Sequence, residues 1–65
     1  MSYDQKLLKY LQARKRAVPT AKLAEHFLRA PSTTSMALRR LLVSGKVTRT
    51  TLGTTSYWAA KRDAS

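Results

Sequence analysis

The chain has no cysteine, one histidine, three acidic residues, two glycines, two prolines and one tryptophan among its 65 residues. Without cysteine, no disulfide staples the fold and no thiolate holds a metal. His26 and three acids scattered along the chain do not make a zinc site. There is no thiol nucleophile, no glycine-rich phosphate loop and no carboxylate pair, which points away from an enzyme. Glu25 and His26 are adjacent and diverge on a helix, so with Thr20 they form no triad. No apolar run approaches the roughly 20 residues that span a bilayer. The start, MSYDQKLLKY, lacks the long apolar region of a secretory signal. The expectation is therefore a cytoplasmic, non-enzymatic protein with no metal, no cofactor and no membrane partner.

The shortage of acid has an opposite side. Thirteen Lys and Arg face three Asp and Glu, for a net charge of +10. Between Glu25 and Asp63 no acid occurs, while Arg29, Arg39, Arg40, Lys46, Arg49, Lys61 and Arg62 all fall there. A field of one sign repels itself, and a polyanion relieves the repulsion. Solubility alone requires neither this much charge nor one sign. Nucleic acid is the expected partner.

A chain of this length is one domain, 1–65, ordered over about 2–60 with a tail at 61–65. So short a chain hides only about 60% of the surface its unfolded form exposes. Its core must come from leucines and aromatics. Ser2 and Gln5 make an S-x-x-Q capping box, which predicts a helix from Ser2 to about Lys15 with Tyr3, Leu7, Leu8 and Leu11 inward. Pro19 disfavours helix at Val18, so Ala17 and Val18 are extended and Val18 can pair with a later strand. Thr20 then caps a second helix, Ala21 to about Leu28, with Leu23, Ala24, Phe27 and Leu28 as its apolar face. Arg29 to Pro31 is a short turn without the usual glycine.

The stretch PSTTSMALRRLLVSG, Pro31 to Gly45, is the centre of the chain. Thr34, Leu38, Leu41 and Leu42 recur at helical spacing. Ser32, Thr33, Ser35, Met36, Arg39 and Arg40 fall on the other faces. Proline suits the first turn and glycine the position after the end. Two short helices joined by a tight turn, the second with a polar front, are a helix-turn-helix pattern. Two β-prone runs then flank Leu52-Gly53 and predict a hairpin over 46–60. Tyr57 and Trp58 must point to opposite sides of that ribbon, with Trp58 toward the core. The whole is an α+β unit: three helices, then a hairpin.

This order of elements resembles the winged helix-turn-helix domain, with TAKLAEHFLRAPSTTSMALRRLLVSGKV matching its second helix, third helix and first wing strand. The size is also similar to small bacterial, phage or plasmid regulators. The stretch GTTSYWAA is similar to the wing of left-handed-DNA-binding (Z-alpha) domains, with Trp58 in the place of their tryptophan. Their asparagine and tyrosine on the third helix are replaced here by Ser35 and Arg39, and their wing prolines by Thr55 and Ser56. The resemblance implies a double-stranded-DNA-binding transcriptional regulator, a repressor type, nucleoid-associated. Helix 31–44 would lie in the major groove, and hairpin 46–60 on the backbone or in the minor groove. It implicates Ser32, Thr33, Ser35, Met36, Arg39 and Arg40 from the helix, and Arg49, Thr50, Thr51, Thr54 and Thr55 from the wing.

Each residue has a plainer reading beside the functional one. Ser32, Thr33 or Ser35 can simply cap the helix. Arg39 and Arg40, about 100° apart, can be solvated cations, or one can meet a guanine edge and the other a phosphate. Met36 can touch a thymine methyl, sit in a dimer contact or stand exposed. The wing threonines can be ordinary strand formers. A single recognition helix covers few base pairs, so a homodimer or adjacent copies would add specificity. The alternative function is a protein-interaction module with a winged-helix fold that binds and redirects another regulator, anchored by Tyr10, Met36 or Trp58.

Overall fold

The computed structural model describes residues 2–61. Its elements are α1 (Tyr3–Gln12), β1 (Val18–Pro19), α2 (Thr20–Phe27), α3 (Pro31–Val43), β2 (Val47–Leu52) and β3 (Thr55–Ala60). The strands form one antiparallel sheet in the order β1-β3-β2. This is the expected α+β arrangement, and its layout is consistent with a winged helix.

The capping box forms at the front of α1. The Ser2 Oγ accepts from the Gln5 N–H at 3.3 Å, and the Gln5 side chain accepts from the Ser2 N–H at 3.3 Å. The helix stops at Gln12, short of the expected Lys15. Residues 13–16 are all exposed, so no apolar anchor carries the helix further. Of its expected inward face, Leu7 and Leu11 are buried, while Tyr3 and Leu8 pack at the edge of the core.

Val18 pairs with Trp58, as its extended conformation predicts. Thr20 does not cap α2. The N-cap is Pro19, with no side-chain cap bond, and Thr20 is the first helical residue. Its hydroxyl instead faces the sheet: it accepts from the Trp58 indole N–H at 2.7 Å and donates to the Ser56 carbonyl at 3.5 Å. A buried indole needs such an acceptor.

The turn between α2 and α3 differs from expectation in one residue. Leu28 is not part of the apolar face; it is 90% exposed and holds the left-handed conformation, φ 54°, ψ 45°. Its N–H donates to Glu25 O at 3.2 Å, and the next N–H, of Arg29, donates to Ala24 O at 3.0 Å. These two bonds are the Schellman closure, in which glycine is the usual residue at the left-handed position. The same closure recurs after α3, with Gly45 at φ 74° and Lys46 N–H on Leu41 O at 3.0 Å.

The core joins Leu7 and Leu11 of α1, Leu23 of α2, Ala37, Leu38 and Leu41 of α3, Val47 of β2 and Trp58 of β3. Burying each large side chain contributes about 1.5–3 kcal/mol. Thr34 is fully buried and hydrogen-bonded to the Tyr3 hydroxyl, which ties α3 to α1. The hairpin closes over Gly53 and Thr54, with Leu52 already paired to Thr55. Gly53 supplies the positive φ, 62°, at the first turn position. Lys61, expected in the tail, donates its N–H to Lys46 O at 3.0 Å. The rest of the expected tail, 62–65, lies outside the described residues.

Candidate nucleic-acid interface

The buried residues of α3 are Thr34, Ala37, Leu38 and Leu41. At about 100° per residue, the opposite side of the helix carries Ser32, Met36, Arg39 and Val43, with Ser35 beside them. All four are exposed. Met36 is 60% and Val43 89% accessible, and with Arg39, Arg40 and Ser44 they line an open groove of about 560 Å³. Val43 was not among the residues expected there. Helical phase turns it 100° or more away from the buried residues of α3.

None of the hydroxyls at the front of α3 is its cap. The N-cap is Ala30, with no side-chain cap bond, and Pro31 begins the helix. Ser32 and Thr33 are thereby left exposed in the first turn. Pro31 also borders a small groove of about 300 Å³, whose other walls are Thr20 and Ala21 of α2 and Thr54 to Ser56 of the hairpin. The fold thus brings the front of α3 next to the hairpin tip, and with it Thr54 and Thr55.

The remaining hairpin residues are divided by the sheet. Arg49 pairs with Trp58 and Thr51 with Ser56, so both share the face of Val47 that looks toward the helices. The Arg49 guanidinium lies 5.8 Å from the centre of the Trp58 ring. Thr50 pairs with Tyr57 on the opposite face, the face that Leu52 and Thr55 also share. The expected set of wing residues therefore does not act from one surface.

Arg39 and Arg40 part company as well. Arg39 is exposed, with no hydrogen-bond partner among the described residues. Arg40 is held by Asp4 of α1: Nε donates to Oδ2 at 2.9 Å and Nη2 to Oδ1 at 2.8 Å. These hydrogen bonds to Arg40 hold the Asp4 carboxyl below its ordinary value. Thr34 and Arg40 lie about 120° apart around α3, yet both reach α1, Thr34 at Tyr3 and Arg40 at Asp4.

Positive charge that pattern reading left outside the interface gathers elsewhere. Arg14, Lys15, Arg16 and Lys22 border a groove of about 510 Å³ together with Tyr10, Val18 and Pro19. Arg14 donates to the Tyr10 hydroxyl at 2.6 Å, and the Tyr10 and His26 rings lie 4.5 Å apart. Arg29 lies over the Tyr3 ring at 5.1 Å. The run Arg14-Lys15-Arg16, just past a helix end, is the signal that marks this second basic surface.

Among the described residues no group of three or more His, Cys, Asp or Glu is placed to hold a metal ion, and no helix is long and apolar enough to cross a membrane. No protein-family model, curated protein or solved structure was found to match the chain.

Proposed function

We propose that this chain is a non-enzymatic double-stranded-DNA-binding protein of the winged-helix type, acting as a transcriptional regulator. In this reading α3 enters the major groove, and the hairpin lies on the backbone or minor groove. The observation that carries it is the outward side of α3: small hydroxyls at the front, then Met36 and an exposed Arg39, on a chain of net charge +10. Arg39 is the leading candidate for a base or phosphate contact, Ser32 and Thr33 offer hydroxyls to phosphate, and Arg49 with Thr51 and Thr54 serve the wing. A nucleoid-associated, cytoplasmic setting follows from the same reading, as does binding as a homodimer or as adjacent copies.

Titration with random-sequence duplex DNA across a salt series tests it. With about four to six phosphate contacts, log K against log salt should fall with a slope of about −4 to −5. Arg39→Ala should reduce that slope by about 1 if Arg39 meets a phosphate. Should it read a guanine, the loss is about 1–3 kcal/mol and falls on specific sites alone. No binding at low salt would overturn the proposal. It would favour the second reading, a module that binds another regulator. That reading is supported by the exposed apolar pair Met36 and Val43 on either side of Arg39.

A further inference from the structure

The ion pair between Asp4 and Arg40 is side-on. It uses the edge of the guanidinium that carries Nε and one hydrogen of Nη2. A guanidinium has five N–H donors in a planar fork. Two are spent here, and the other three, two on Nη1 and one on Nη2, have no acceptor among the described residues. The end-on edge, Nη1 with Nη2, is itself a two-donor fork. It matches acceptors that come in pairs, such as the O6/N7 edge of guanine. The Arg40 side chain is 58% accessible, so this edge is open to a ligand.

The residue that holds Arg40 sits in a well-tied turn of α1. Asp4 lies in the first turn of α1, inside the Ser2–Gln5 capping box. Its neighbour Tyr3 is hydrogen-bonded to Thr34 on α3 and packs edge-on against Phe27 at 5.7 Å. The anchor and the arginine therefore sit on two helices joined at a second point. Arg39, one residue away, has no such anchor among the described residues.

We propose that Asp4 is a positioning residue, which clamps Arg40 side-on so that the end-on fork is presented in a fixed orientation to a guanine edge. The inference rests on the DNA-binding reading and goes beyond it, because it places base selectivity in an acid outside the recognition helix. An unclamped arginine is a mobile cation that meets any phosphate. The carboxylate cancels much of that general attraction and removes rotamer freedom in advance. What is left is a planar donor pair, which gains most where two acceptors lie at matching spacing.

The test is selection of bound sequences from random duplexes, followed by anisotropy titrations. Each titration compares the best duplex with the same duplex carrying adenine in place of the selected guanine. Wild type should discriminate by about tenfold or more. Asp4→Ala and Arg40→Lys should each bring that ratio near one, while Asp4→Ala binds random duplex as tightly as wild type or more so. Asp4→Asn, which keeps one side-on acceptor, should fall between. Tighter binding of Asp4→Ala to every duplex with the guanine preference intact would overturn the proposal and make Asp4 a simple charge shield. Unchanged binding with a lowered melting temperature would make the pair only a brace between α1 and α3. Strong wild-type binding without a guanine preference removes this inference alone; no wild-type binding to any duplex removes the DNA reading itself.

Discussion

Replacing Leu28 with glycine should make the domain more stable. Leu28 holds φ 54° and ψ 45° to close the turn between α2 and α3. The left-handed conformation costs an L residue about 1–2 kcal/mol, because Cβ crowds the following carbonyl. Glycine escapes that cost but adds about 0.4–1 kcal/mol of freedom to the unfolded chain. Leu28 is 90% exposed, so its removal sacrifices almost no buried apolar area. The net gain is about 0.5–1 kcal/mol. In a domain of this size that raises the melting temperature by about 2–8 °C. Thermal unfolding followed by circular dichroism measures it directly. Leu28→Ala separates the two contributions, since it loses the side chain and keeps the strain. Its stability should stay within about 0.5 kcal/mol of wild type. A glycine variant that melts below wild type would refute the argument from strain. An alanine variant that falls by more than about 1 kcal/mol would show that the leucine side chain contributes to packing.

Two further outcomes follow from polar groups in and around the core. Thr20→Val keeps the shape of the side chain but leaves the Trp58 indole N–H without its acceptor, and should cost about 1–3 kcal/mol in urea unfolding, with Thr20→Ser close to wild type. Asp4 titrates below its ordinary value because Arg40 hydrogen-bonds its ionised form. It thus binds fewer protons folded than unfolded: its contribution is full above the unfolded value, about 3.9, and is lost as pH falls through the lowered folded value. Melting temperatures measured from neutral pH into acid should therefore fall less steeply in Asp4→Asn than in wild type. Identical acid limbs would show that the pair adds nothing.

What pattern reading recovered is what local chemistry decides. The capping box at Ser2, the proline-to-extended step at Val18, the glycine ends at Gly45 and Gly53 and the inward Trp58 all depend on a few neighbouring residues. The misplacements need distant partners or backbone geometry to detect. Thr20 has the composition of a cap, yet an indole 38 positions away claims its hydroxyl. Leu28 fits the apolar phase of α2, but the Schellman closure turns the chain left-handed there and swings the side chain into water. Thr50 and Thr51 look alike in sequence, and only the strand register puts them on opposite faces of the hairpin. Arg40 looks like the twin of Arg39 until the fold brings Asp4, 36 positions away, against it.

The same long separations govern how the α3 surface comes into being. Its pose is set by the Tyr3–Thr34 and Asp4–Arg40 bonds, which span 31 and 36 positions, and the core beneath it closes through Trp58 and Thr20. Each helix can flicker into existence on local contacts, but no short segment of the chain contains both halves of any of these bonds. The outward side of α3 is therefore a property of the complete fold, present in full or not at all. Apparent affinity for any ligand of that side then scales with the folded fraction. In a domain this small, a substitution deep in the core, far from α3, should weaken binding by diluting competent molecules, and saturating ligand should restore them.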